Sequence, residues 1–552
     1  MKTKISKYIL AGVVGCSVAF TGCTDLDVPV KSQYTLYPSN ENALEAQMAG
    51  IYFQLRGCFG RRYMEAMALS SDEWTAVSYS GGWYDSGAYA HPSLHDYSYE
   101  DATIDWMGDL GSGVVKANEV IDNSTDVKYV ASARAMRAYF TFLMMDCWGD
   151  VPIVDNSRTD IDKEARQPRA EVAKWIESEL NDIIPNLPEE VNGDNYGKPN
   201  KYMALALLAK LYINWPVYTA TSVESYDATT ATNEKLNDCV AACDEIIKSG
   251  KFELGPDAYR FKFSYDNTAR VEAGTIKDFI YVMPYHTTDA KGMQYGRSHS
   301  YKDIKNCNPS YYGMKLSQSG GGYMTMTPEF VSLFNLPGDE RNNLILGLND
   351  GTVYVYDPTT LMPTATVCKD KAGDDLILNK NIQLAKDEDG NEVRDFTINV
   401  GDNPEGYRQG LRSIKWFVIN DDFKNDRNLS NDLPLLRYAD VLMMKAEAIV
   451  RGAAATNGET AMSLFNQIRS YVNAPTLSAN PTLEEIYQER GREFFDENMR
   501  RTDMIRFGHF EDEYFPHYND FPTANFEKTR RVFPIHKDML DLNPKWKQNA
   551  GY

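Results

Sequence analysis

The sequence predicts a mainly α fold, a tetratricopeptide-like scaffold of helical pairs carrying irregular loops and a few short β-strands. Three observations predict it. Apolar residues recur at three-and-four spacing through the first half and the last third of the chain. One such stretch, LALLAKLYI from Leu205 to Ile213, is rich in Ala and Leu, whose small members let paired helices approach closely, although no regular repeat of about 34 residues is visible. From about Phe252 to Asp432 the pattern changes to short strand-like runs between Gly, Asn, Asp and Pro clusters.

The chain opens with Lys2, Lys4 and Lys7, an apolar run from Tyr8 to Phe20, and then the small residues Thr21 and Gly22. That order predicts a secretory signal peptide over residues 1–22, with an apolar stretch too short to span a bilayer as a stable helix. Phe-Thr-Gly-Cys resembles a bacterial lipobox and predicts lipidation at Cys23. The competing Cys16 would leave an apolar core of only Tyr8 to Val14 and strand Val18 to Phe20 on the mature surface. Acyl chains gain about 0.8 kcal/mol per buried methylene and would hold such a protein on a membrane. Asp25 and Asp27 resemble the export tag of surface lipoproteins.

Helices are predicted over Asn42–Leu55, Trp106–Ile121, Ala131–Cys147, Arg169–Ile184, Lys201–Trp215 and Lys235–Lys248. Strand-like runs follow at Thr352–Tyr356 and Ser413–Val418, then helices at Tyr438–Val450, Ala461–Val472 and Leu483–Phe495. The organisation predicted is a signal peptide at 1–22, an N-terminal helical region at 23–250 and a C-terminal region at 251–552, forming one structural unit after cleavage.

A formal net charge of −21 argues against an electrostatic grip on nucleic acid or anionic lipid. Beyond the two leader cysteines, Cys58, Cys147, Cys239, Cys243, Cys307 and Cys368 permit disulfides without requiring them. Cys239 and Cys243, one helical turn apart, have no further ligand nearby in sequence and read as core residues. No phosphate loop, nucleophile elbow or zinc-protease helix is present, and Asp387–Glu392 lacks EF-hand spacing. No metal or other cofactor is therefore expected, although Ca held by irregular loop oxygens would leave no spacing to read.

Three C-terminal motifs resemble the SusD/RagB family of outer-membrane nutrient-binding lipoproteins. They are LPLLRYADVLMMKAEAIV from Leu433 to Val450, ERGREFFDENMRRTDMIRFG from Glu489 to Gly508, and FPIHKDMLDLNPKWKQNAGY closing at Tyr552. Asn498 stands where the family has Gly after a helix, and Asn is the next most tolerant residue of a left-handed cap. His536 and Ala550 replace prolines. The resemblance implies a SusD-like fold, no catalysis, a glycan ligand (in some members a peptide), a place on the outer membrane facing outward, and a SusC-like TonB-dependent transporter as partner.

A glycoside hydrolase is the rival from another class, because Glu489, Glu493, Glu497 and Asp503 suggest paired carboxylates. Glu489, Arg490, Glu493, Arg500 and Asp503 alternate sign at helical spacing, which favours a structural ion-pair network. Arg neighbours also lower carboxylate pKa values, opposite to what a general acid needs.

A sugar offers an apolar face to Trp or Tyr and hydroxyls to polar side chains. Trp106, Trp148, Trp175 and Trp215 fall in or beside predicted helices. Trp74, Trp83, Trp416 and Trp546 remain. The segment Ser71–Asp101 supplies the first candidates for ligand contact, Trp74, Trp83, Tyr84 and Tyr89. Tyr285–Tyr323 supplies the second group, Tyr295, Tyr301, Tyr311, Tyr312 and Tyr323. His91 and His95 have ligand-like spacing, but Pro92 disfavours the helix that would align them, so both are expected as exposed loop residues.

Overall fold

The computed structural model describes residues 40–552 apart from 80–81, 84–86, 158, 160–163 and 521–522. Its longer helices are α1 (Glu41–Gly57), α2 (Tyr63–Leu69), α3 (Met107–Asn123), α4 (Val127–Trp148), α5 (Arg169–Ile183), α6 (Lys201–Ile213), α7 (Leu236–Lys248), α8 (Tyr438–Val450), α9 (Ala461–Tyr471), α10 (Leu483–Phe494) and α11 (Arg500–Phe507). The fold is mainly α, as expected. Helix α3 packs on α4, α4 on α5, α6 on α7, α7 on α8 and α8 on α9, which is the helical-pair arrangement. Gly113 lets α3 close on α4, because a Cβ there would lie 2.5 Å from Phe140 Cζ.

Local chemistry sets the helix ends. Asp126 accepts the amide of Lys128 at 3.0 Å and starts α4 earlier than the apolar pattern indicates. Asn200 caps α6 through the Met203 amide at 2.9 Å. Pro216 has no N–H to continue that ladder, so α6 stops at Ile213 and a new short turn runs from Trp215 to Thr219. Thr460 with Ser463 and Thr482 with Glu485 form capping boxes at the starts of α9 and α10.

The strands are β1 (Trp74–Ala76), β2 (Phe279–Met283), β3 (Met324–Met326), β4 (Ile345–Leu346), β5 (Tyr354–Tyr356), β6 (Pro363–Val367), β7 (Arg412–Ser413) and β8 (Leu433–Arg437). Among the described residues they form four two-stranded sheets, β1–β3, β2–β8, β4–β7 and β5–β6, all antiparallel. The strand expected over Ser413–Val418 ends at Ser413. Beyond it, consecutive residues Lys415, Trp416 and Phe417 are all buried. Lys415 Nζ donates to Phe495 O at 2.6 Å and Trp416 Nε1 to Asp496 O at 3.2 Å, fixing that irregular course.

Pairing of β1 with β3 joins the N-terminal region to the C-terminal one, and Glu45–Tyr552 is one compact unit. All six described cysteines are free and buried. No helix among the described residues is long and apolar enough to cross a membrane.

Candidate functional site

The acidic and basic residues of the second C-terminal motif lie in the core. Arg437 reaches Asp278 at 2.6 Å, Glu497 at 2.7 Å and Glu493 at 3.1 Å. Arg341 joins Glu493 at 3.1 Å to Glu489 at 2.7 Å, and Glu489 also receives Arg469 at 2.6 Å and Arg492 at 3.0 Å. A second cluster links Arg490 to Asp440 and Asp503, each at 2.8 Å, and Arg506 to Asp503 and Glu447, each at 2.8 Å. Burial pushes the Glu489 carboxyl up, but Arg341, Arg492 and Arg469 together outweigh it and hold the group at about 2. Glu447 and Asp440 are likewise held at about 2, burial being outweighed by Arg506 and Arg451 in one and by Arg490 and Lys210 in the other. Such carboxylates cannot carry a proton to a leaving group near neutral pH. The turn after this helix uses the left-handed region at Asp496 (φ +62°) and Asn498 (φ +66°).

A groove of about 490 Å³ opens between the second loop segment singled out in the sequence, Tyr285–Tyr323, and residues 371–427. Its lining includes Arg297, Lys302, Asp303, Gly320, Gly321, Tyr323, Lys371, Tyr407 and Arg427. One side is the backbone of Ser319–Gly322, held close to residues 297–302: the Gly321 amide donates to Arg297 O at 3.0 Å. Only glycine fits there, since a Cβ on Gly320 would overlap Ser300 Oγ and one on Gly322 (φ +67°) would lie 2.7 Å from Lys302 Cα. Peptide groups are thereby brought to the wall of the groove, where hydroxyls of a ligand can reach them.

Tyr407 is half-exposed at this groove, and its ring packs edge-on against Tyr79 at 5.5 Å. Lys302 Nζ lies 4.1 Å from the Tyr79 ring and 4.7 Å from the Tyr407 ring, and pairs with Asp402 at 2.6 Å. The Tyr407 hydroxyl donates to the same carboxylate, which raises it to about 12, with burial adding to the effect. Tyr79 itself is buried, its hydroxyl donating to Gly322 O. Neither Tyr79 nor Tyr407 was among the sequence candidates. Tyr407 stands in a short Pro404–Tyr407 turn whose composition does not distinguish it from any surface turn.

Most candidates are buried in this structure and pack inward, for one common physical reason. Trp74 is buried and stacked on His299 at 4.2 Å. Tyr89 is buried with its ring 4.3 Å from Tyr323, and Tyr323 donates to buried Glu65 at 2.9 Å. Tyr295 donates to Asp496 at 3.0 Å. The Tyr311 hydroxyl accepts the Tyr301 amide at 2.9 Å, and Tyr312 packs edge-on against Phe417 at 5.6 Å. These irregular segments have little sheet or helix of their own, so they hold their shape by burying rings inward and satisfying the hydroxyls. Of the remaining candidates, Trp83 is half-exposed, while Tyr84 and the lipidation candidate Cys23 lie outside the described residues. Trp416 and Trp546 are buried as well.

The histidine expectation is also corrected. His95 is buried against Phe510 at 4.6 Å, Nε2 meets Ser70 O at 3.2 Å, and burial, aided by Arg501, lowers its pKa to about 3. His91 is half-buried and bonded to Asp101 at 2.8 Å. Pro92 is accommodated within a single turn, Ala90–Ser93.

Two other cavities fit a sugar less well. The space beneath Arg490 and Asp503 is about 50 Å³, water-sized. A cleft of about 550 Å³ near Trp148 and Arg169 exposes no aromatic face, since Trp148 is buried. Among the described residues no cluster of three or more His, Cys, Asp or Glu is arranged to hold a metal ion.

Two family models match the chain: one described as the SusD family over residues 280–552, and one described as starch-binding associating with outer membrane over residues 98–213. The chain is 24% identical over 469 residues to the starch-binding protein SusD of Bacteroides thetaiotaomicron, covering 80% of this chain and 77% of that protein. Its fold is similar to surface glycan-binding protein A from Bacteroides fluxus, with 20% identity and a TM-score of 0.65 over 93% of this chain and 100% of that one. It is also similar to surface glycan-binding protein A from Bacteroides thetaiotaomicron in complex with laminarihexaose, with 18% identity and a TM-score of 0.66 over 92% and 99%.

Proposed function

Because the chain belongs to the SusD/RagB family, we propose that it is a lipid-anchored, cell-surface glycan-binding protein that captures an oligosaccharide in the Tyr407 groove without cleaving it. It then delivers the ligand to a SusC-like TonB-dependent outer-membrane transporter. The observation that carries this reading is the groove itself, in which a half-exposed ring, a wall of glycine peptide groups and several long polar side chains meet. Tyr407 supplies the apolar contact for a pyranose face. Support comes from relatives whose names record starch binding and a laminarihexaose complex. Anchoring is through the acylated Cys23, and the outward-facing position follows from the same role.

Titration of the full chain with starch- and laminarin-derived oligosaccharides and with mixed peptides tests the proposal. Saccharide binding that falls in Tyr407→Ala with an unchanged unfolding midpoint supports it. Tight peptide binding with no saccharide signal overturns it, as does release of reducing ends by the purified protein.

A further inference from the structure

The charge of the groove is opposite to that of the molecule. The chain carries a formal −21, yet the lining holds Arg297, Lys302, Lys371 and Arg427 against the single acid Asp303. Lys302 is already neutralised by Asp402 at 2.6 Å. The other three form no salt bridge among the described residues. Asp303 offsets one of them at most, which leaves an excess of two positive charges.

Two of these cations are held in place. Arg427 Nε donates to Ser319 O at 2.9 Å, and its backbone (φ +59°) follows Asp426 (φ +56°), two successive non-glycine residues in the left-handed region. That conformation is costly and persists only where the surroundings impose it. Arg297 is half-buried, with NH1 donating to Gln294 Oε1 at 3.4 Å, and its charge is felt by buried Glu65, which is itself paired with Arg61 at 3.2 Å. Lys371 is exposed at the rim. Like charges brought to one concave surface repel, and a neutral sugar repays none of that repulsion. A ligand bearing carboxylate or sulfate does so through charge-assisted hydrogen bonds.

We infer that the groove takes an anionic oligosaccharide, one bearing uronic-acid carboxylates or sulfate esters, with Arg427, Arg297 and Lys371 meeting the anionic groups and Tyr407 the ring face. This inference rests on the groove being the saccharide site. It is tested by calorimetric titration of the full chain with two matched pairs: a hexagalacturonate against its carboxyl-reduced form, and a carrageenan hexasaccharide against its desulfated form. At least one acidic member should bind about tenfold or more tightly than its neutral counterpart. That preference should shrink as salt rises from about 50 to about 500 mM, and the pair showing it identifies the anion. Arg427→Gln with Lys371→Gln should abolish the preference while the unfolding midpoint stays unchanged.

Equal or tighter binding of a neutral member overturns the anionic inference and leaves the saccharide reading standing. Binding of none of the four also overturns it. In that case laminarihexaose decides the broader reading: binding keeps it, and binding of peptides alone removes both.

Discussion

Arg437 Nε donates to Glu497 Oε2 at 2.7 Å, and neither side chain reaches solvent. Glu497 accepts Lys415 Nζ at 2.6 Å on its other oxygen, while Arg437 continues to Asp278 and Glu493. Desolvating so many charges is costly, and the cost is recovered only while every partner is present. Glu497→Gln should therefore destabilise the fold by about 3–5 kcal/mol, read as a lowered urea midpoint. Asp421→Asn, which breaks the exposed 3.0 Å pair with Lys424, should leave the midpoint unchanged. An equal response from the two variants would mean that the buried network contributes no more than a surface pair.

Acid sensitivity should begin at His95. Its folded pKa of about 3 lies below the ordinary 6.5, so the stability linked to its neutral form is complete above pH 6.5 and is lost as pH falls toward 3. The stability difference between wild type and His95→Phe should shift by up to about 1.4 kcal/mol per pH unit in that window and be flat above it. Glu489 and Glu447, held at about 2, add a loss that starts only below about 4.5. Parallel pH curves for the two proteins between pH 6.5 and 4.5 would show that His95 ionises as freely folded as unfolded.

Glu73 behaves in the opposite sense. Its carboxyl is buried and neither oxygen has a hydrogen-bond partner among the described residues. Burial, with Asp496 and Asp72 adding repulsion, pushes its pKa well above the ordinary 4.5. Folding therefore favours the protonated form, and stability from this group is full below 4.5 and declines as pH rises. Glu73→Gln keeps the shape without the charge. It should be more stable than wild type at pH 7, with the gain disappearing below about pH 4.5. A variant that is less stable at neutral pH would indicate that ionised Glu73 is satisfied within the fold.

What the sequence made legible follows from period. Helix α8 begins and ends where its pattern does, because Ala439, Leu442, Met443, Ala446 and Ile449 line one face and leave no ambiguity of register. The ion-pair network was also visible, since Glu489, Arg490, Glu493 and Arg500 alternate sign at helical spacing. Its full extent was not, because Asp278, Arg341 and Lys415 come from distant loops. The groove failed for a related reason. An irregular segment has no period to separate inward from outward rings, so Tyr295, Tyr301 and Tyr311 read the same as Tyr407 although only the last keeps an exposed surface.

That distinction yields a prediction in which folding and binding separate. Trp74 is fully buried and stacked on His299, so Trp74→Ala should cost about 3–5 kcal/mol and weaken every ligand in proportion to the unfolded fraction. Tyr301→Ala should behave likewise, since its ring is buried within the segment 295–323. Tyr407→Ala should leave the unfolding midpoint within about 0.5 kcal/mol, because its ring is half-exposed and its hydroxyl bond to Asp402 lies at the surface. Its saccharide affinity should nevertheless drop about tenfold, the loss of one stacked face. Calorimetric titration and denaturant melts on all three variants give both numbers. If Tyr407→Ala binds as wild type does while Tyr301→Ala loses binding without losing stability, the ligand sits against the inner tyrosines after a rearrangement, and the groove in its present form is not the site.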